Sequence, residues 1–191
     1  MFILRHLRWI KGQTDLSPSR ELSREDTLAL LEELDNLLSS VKLVELVIGG
    51  GAAMTEWVDE RRTTDVDVIS EMLPRHIKDA AATIAERHGL PYSWLNDNAV
   101  GAAPPGIDHI GDIFFVGRCI KVSTPNAKCM LSMKLLSARG KDFRDALILA
   151  KETGIDTEEK LQKLFVTGYG SQHLNEKRAK FIKLVADNVS T

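Results

Sequence analysis

The chain is poor in the residues that would tie it to a zinc or disulfide scaffold. Its 191 residues hold two cysteines, Cys119 and Cys129. They have no CxxC spacing and no histidine cluster nearby, so the expectation is two buried free thiols. The histidines, His6, His76, His88, His109 and His173, show no ligand spacing. There is no long apolar run either. Met1 to Ile10 is apolar but broken by Arg5, His6 and Arg8, which is too short and too interrupted for a signal or a membrane span. It reads as a strand or an arm packed on the domain, and the chain reads as cytoplasmic, with no membrane partner. No single sign of charge dominates: a net charge of −2 gives no overall pull toward nucleic acid or anionic lipid, though it is compatible with a local basic patch. Internal repeats and low-complexity tracts are absent. So are HExxH, the P-loop GxxxxGK[ST], GxGxxG and GxSxG, which removes the commonest metalloprotease, NTPase, dinucleotide and hydrolase readings.

What is present is an ordinary globular composition, 43% hydrophobic and 27% charged, in a chain suited to one domain with a helical appendage. One segment stands out. An apolar run (Leu43, Val44, Leu46, Val47, Ile48) enters Gly49-Gly50-Gly51, and after a helix-length gap the chain continues Arg62-Thr63-Thr64-Asp65-Val66-Asp67-Val68. In a strand, residues two apart share a face, so Asp65 and Asp67 stand side by side while Val66 and Val68 face the core. Two carboxylates that close are costly unless a divalent cation sits between them. Mg²⁺ takes oxygen ligands of this kind, shared with substrate phosphates. Glycines at a tight turn let backbone N–H groups approach a phosphate. The plainer alternatives are an edge strand with solvated acids and a turn that needs positive φ.

This arrangement resembles the signature of the nucleotidyltransferase superfamily: an apolar residue, Gly-Gly or Gly-Ser, a gap, then Asp-x-Asp in an apolar strand. A second block, Lys134-Leu135-Leu136-Ser137-Ala138-Arg139-Gly140-Lys141-Asp142-Phe143-Arg144-Asp145, is similar to one in the small bacterial group around the AbiEii-type toxins. The resemblance covers roughly residues 43–150. It implies a two-metal transfer of an NMP unit from an NTP to a hydroxyl of an RNA or protein acceptor, with Mg²⁺ or Mn²⁺ on Asp65 and Asp67. Gly49, Gly50 and Gly51 would hold phosphates, with Arg62, Lys134 and Lys141 as cationic contacts. It also implies a toxin–antitoxin or defence role and an antitoxin protein as partner. A continuous helix would align Lys134, Ala138, Lys141 and Asp145 on one stripe, and Gly140 is the place where it would break. The alternative there is a surface Lys141–Asp145 pair worth ~0.3–0.5 kcal/mol, with Asp142 and Asp145 as structural partners of Lys141 and Arg139. The family's third acid comes from a later strand; the matching strand is taken as 119–123, which has no acid, so Asp112 is the nearest candidate, with Asp108 behind it. Without a third acid, the same fold would serve as a catalytically degenerate binding or regulatory protein.

The expected fold is α/β (α+β), a small mixed sheet of the nucleotidyltransferase type flanked by helices, with a helical C-terminal third. Residues 1–125 form the core with its N-terminal arm, and 126–191 form a helical region packed on it as one unit. Ser23-Arg24-Glu25-Asp26 resembles a capping box for a helix with Leu28, Leu31, Leu34, Leu37 and Leu38 on one face. Strands are expected at 43–48 and 65–69, with a short helix from about Ala52 to Trp57, in which Thr55 is a possible hydroxyl ligand. A further helix runs over 75–88 and ends at Gly89, and 112–116 with 119–122 form a hairpin. Residues 96–111 read as a mobile loop. Helices are expected over 126–139, 141–152, 157–166 and 173–188.

Overall fold

The computed structural model describes residues 20–38, 42–107 and 111–189. The expected N-terminal arm, Asp108 and His109 lie outside the described residues.

The first helix, α1 (Arg24–Leu37), begins where the sequence says it should. Ser23 Oγ accepts the Asp26 N–H at 3.0 Å, and Asp26 Oδ2 accepts the Ser23 N–H at 2.9 Å, a reciprocal capping box. Leu30, Leu31, Leu34 and Leu38 are its buried side, and Leu28 and Leu37 pack at the margin. The chain then enters β1 (Val44–Val47), a five-residue helix α2 (Gly50–Met54) and β2 (Val66–Asp67). Helix α3 (Arg75–His88) is amphipathic, burying Ile77, Ala81, Ile84 and Ala85, and Gly89 closes it at φ 63°. Strands β3 (Leu95–Asn96), β4 (Ile113–Val116) and β5 (Ile120–Ser123) follow. The C-terminal part is helical: α4 (Ala127–Ser137), α5 (Phe143–Thr153), α6 (Glu158–Tyr169) and α7 (Glu176–Val189).

The protein is thus a mixed α/β structure with a small sheet. β5 lies between β1, which it pairs in parallel (Val44 opposite Ile120), and β4, which it pairs antiparallel. A second, parallel ladder joins β2 to β3, placing Val66 opposite Leu95 and Asp67 opposite Asn96. An antiparallel bridge between Ile48 and Val68 connects the two ladders. It is reinforced by Gly49 N–H donating to Asp67 O at 2.7 Å and Ile69 N–H donating to Val47 O at 2.8 Å. Val66 and Val68 are fully buried, as the alternation requires.

Two apolar clusters fill the molecule. One gathers α1, α3 and the strands around Leu31, Ile84, Trp94 and Ile120; the other gathers α4 to α7 around Met130, Leu149, Phe165 and Ile182. Helix α2 contributes Ala52 to the first and Ala53 and Met54 to the second.

Three expectations need correction. The helix expected over 126–139 ends at Ser137, because Ala138 turns into the left-handed region (φ 46°, ψ 43°) and a 3₁₀ turn at Gly140–Asp142 intervenes before α5. The continuous Lys134–Asp145 stripe therefore does not exist. The loop expected at 96–111 begins with a strand residue, and its 97–107 portion is anchored to α6. There Tyr169 Oη donates to Ala102 O at 2.6 Å and Gly106 N–H donates to Gly168 O at 3.3 Å. The short helix expected from Ala52 starts two residues earlier, at Gly50. No helix among the described residues is long and apolar enough to cross a membrane.

Candidate functional site

The glycines each meet a different neighbour. Gly50 has φ 63°, and a Cβ there would overlap the Asp67 carboxylate. A Cβ on Gly51 would overlap the Thr63 hydroxyl. Gly49 faces inward instead, where a Cβ would press on Ile69 and crowd Met133. Gly50 and Gly51 thus let the aspartate strand come down against the turn, while Gly49 serves packing.

Asp65 and Asp67 share a cavity of about 310 Å³. It is lined by Gly50, Gly51, Arg62, Asp65, Asp67, Lys134 and Lys141, seven of the nine candidate residues. Gly49 and Asp112 do not line it. The acids sit in the tension expected of a close pair. Burial pushes the Asp65 carboxyl above its ordinary value, and the Asp67 charge adds to the push. Thr63, which can donate its hydroxyl to Asp65 at 3.4 Å, and the cations Lys141 and Arg139 only partly offset it. Burial and the neighbouring Asp67 charge thus disfavour the ionised form of Asp65, and a divalent cation bound between the two carboxylates would favour it. Among the described residues no group of three or more His, Cys, Asp or Glu is placed to hold a metal. The donor set is two carboxylates, which suits a hard cation that completes its shell with water and substrate oxygens.

Lys134, expected as a phosphate contact, is buried and committed elsewhere. Its Nζ lies 3.1 Å from Asp142 Oδ1 and 2.8 Å from Asp145 Oδ2. Asp145 is also gripped by Arg61, with Nη1 to Oδ1 and Nη2 to Oδ2 both at 3.1 Å. Arg139 Nε donates to Asp142 Oδ2 at 2.6 Å, and Ser137 Oγ donates to the same oxygen at 2.6 Å. Burial pushes the Asp142 carboxyl up, but Arg139, Ser137 and Lys134 together outweigh it and hold it at about 2. So Asp142 does pair with Arg139, as one alternative had it, but Asp145 pairs with Lys134 and Arg61 rather than with Lys141. The break at Ala138 is the reason: it brings Asp142 and Asp145 back onto Lys134. Lys141 and Arg62 also line the cavity and form no ion pair among the described residues, leaving both cations for a ligand.

The third acid also falls differently. Strand β5 pairs with β1 and β4, not with the aspartate strand; the strand beside Asp67 is β3, and its residue in register is Asn96. Asp112 is exposed, and its backbone carbonyl accepts the Thr124 N–H at 2.9 Å. Thr55, considered as a hydroxyl ligand, is buried and donates to Ala52 O at 2.6 Å. Conversely, Arg139, Arg61, Thr63 and Asp142 line the cavity without having been singled out for it. The i,i+3 spacing of Arg139 and Asp142 was the available signal.

Comparison with family models, with curated proteins and with solved structures finds no match. The site stands on its geometry alone.

The raised Asp65 sets a test independent of turnover. In the metal-free protein its folded value exceeds the ordinary carboxylate value near 3.9, so stability is gained as pH falls through the folded value and is lost again above it. Asp65→Asn is expected to raise the metal-free Tm by a few degrees at pH 7 and to abolish the Tm rise expected of the wild type in millimolar Mn²⁺. A metal-free Tm that drops instead would mean Asp65 is a structural acid.

Proposed function

We propose that the protein is a Mg²⁺- or Mn²⁺-dependent nucleotidyltransferase that moves an NMP unit from an NTP to a hydroxyl of an RNA or protein acceptor. The observation that carries this reading is the placement of Asp65 and Asp67 in one cavity with Gly50 and with Arg62 and Lys141, cations that form no ion pair among the described residues. The antiparallel step from β1 through the glycine turn to β2 supports a sheet of the nucleotidyltransferase type. Asp65 and Asp67 would hold the metal, which when bound supplies charge neutralisation at the phosphates and lowers the cost of ionising the attacking hydroxyl. Arg62 and Lys141 would neutralise the phosphate oxygens that the metal does not cover. Arg139, fixed by Asp142, adds a permanent positive charge beside the acids without needing to move. A toxin–antitoxin role with an antitoxin partner follows from the resemblance to the AbiEii-type group.

A second reading is favoured by Asn96. With an amide in register with Asp67 and Asp112 outside the cavity, the further acids lining it are Glu21, exposed, and Asp142, engaged by three partners. A catalytically degenerate nucleotide-binding or regulatory protein fits that inventory. Incubating the protein with Mg²⁺ or Mn²⁺, each labelled NTP and bulk tRNA or cell extract separates the two. Label transfer that disappears in Asp65→Asn/Asp67→Asn supports the enzyme. An NTP-induced Tm shift without transfer supports the binder, and neither signal with any NTP removes both.

A further inference from the structure

The cavity around Asp65 and Asp67 adjoins a second one of about 510 Å³; Gly50, Asp67, Lys134 and Arg139 line both. The two differ in chemistry. What the smaller cavity adds is charged or hydroxylic, apart from a glycine, whereas five of the eight residues the larger adds are Ala99, Ala102, Met130, Met133 and Leu136. Resting on the phosphate reading above, we infer that the larger cavity takes the base and ribose of the nucleotide whose phosphates lie at Asp65 and Asp67. A metal-bound triphosphate needs the charges of the smaller cavity. A nucleoside presents flat apolar faces with polar edges, and a mostly apolar wall with a few fixed polar groups is what such a ligand requires.

The polar groups are already placed. Arg178 is tied through Nε to Leu136 O at 2.8 Å and through Nη1 to His173 O at 2.5 Å, and Arg139 is held by Asp142. Guanidinium planes held in this way stack on aromatic rings, and the thioethers of Met130 and Met133 are favourable ring neighbours. Asn98 brings a donor and an acceptor to the same cavity. The wall that carries Asn98, Ala99 and Ala102 is the 97–107 segment, pinned to α6 by Tyr169, so this cavity is shaped before any ligand arrives.

The test compares the four NTPs with inorganic tripolyphosphate, which carries the phosphates and no nucleoside, by calorimetric titration in Mg²⁺. Wild type is expected to bind at least one NTP about tenfold or more tightly than tripolyphosphate. Ala99→Trp, which fills the larger cavity, is expected to remove that surplus while leaving tripolyphosphate binding unchanged. Retained tripolyphosphate binding also reports that the variant is folded. If Ala99→Trp loses both, the exposed Asn98→Ala decides, with an expected loss of about threefold to tenfold for NTP alone. A surplus that survives these variants, or NTP and tripolyphosphate binding equally to wild type, overturns the inference and leaves the phosphate site standing. Tripolyphosphate failing to bind wild type overturns the phosphate reading and this inference with it.

Discussion

Lys134→Met is expected to lower the unfolding free energy by about 3–5 kcal/mol, the range measured when one partner is removed from a buried ion pair. For a chain of this size that is a Tm drop of roughly 6–20 °C. The reasoning starts from burial. Lys134, Asp142 and Asp145 are all buried, and Lys134 Nζ bridges the two carboxylates at 3.1 and 2.8 Å. Methionine keeps the volume and most of the apolar stem but leaves two buried acids facing each other, with one arginine each, Arg139 and Arg61. The same variant separates a structural lysine from a phosphate ligand. A lysine whose main work is to touch phosphate would leave the Tm within 1–2 °C and remove only the NTP response.

The acid limb should move with it. Asp142 sits at about 2, below the unfolded carboxylate value near 3.9, so its contribution is complete above about pH 4 and is lost as pH falls toward 2. Without Lys134 its folded value rises toward the unfolded one, so less of its contribution is left to lose, and the stability gap between the two proteins narrows as pH falls toward 2. Urea titrations at pH 3, 4, 5 and 7 on both proteins would show it. A parallel offset at every pH would mean that Lys134 does not act through Asp142.

The second large effect comes from a residue that does not line the cavity. Asp35→Ala is expected to cost about 3 kcal/mol or more, because its carboxylate accepts three backbone N–H groups, those of Arg118, Cys119 and Ile120, at 2.9, 2.7 and 3.0 Å. Burial raises the Asp35 carboxyl, but the three N–H bonds outweigh burial and hold it below its ordinary value. Its contribution is therefore also present above about pH 4 and lost below. The approach is so close that a Cβ on Gly117 would overlap the carboxylate. Chemical denaturation of Asp35→Ala giving a loss under 1 kcal/mol would show that water replaces the carboxylate.

How much of this was legible in the sequence depended on the length of each signal. Helix α3 has four turns of apolar spacing and a glycine cap, and its expected ends, Arg75 and His88, coincide with the observed ones. The glycine–aspartate segment announced its own geometry because alternation fixes which side each valine and aspartate takes. Strand β3 is two residues long, so no periodicity marks it, and its place beside β2 comes from parallel pairing across α3. That is why the strand next to Asp67 was mistaken, and Asp112 with it. The Lys134 block failed for a different reason. The break falls at Ala138, a residue with the best helix propensity, so composition pointed instead to Gly140. Asp35, a polar residue inside a leucine face, gave no sign of the hairpin it holds.

Helix α2 has only five residues, yet it constrains how the protein can move. Ala52 is embedded on one side of the molecule, and Ala53 and Met54 on the other. The cleft is bounded by both sides, Gly50, Asp65 and Asp67 from one and Arg139, Lys141 and Asp142 from the other. A hinge between the halves would have to pull α2 out of one of them. Widening of the cleft by rigid-body rotation is therefore opposed by close packing. Widening of the cleft then falls to displacement of the 97–107 segment, whose hydrogen bonds to α6 among the described residues come from a tyrosine hydroxyl and a backbone amide.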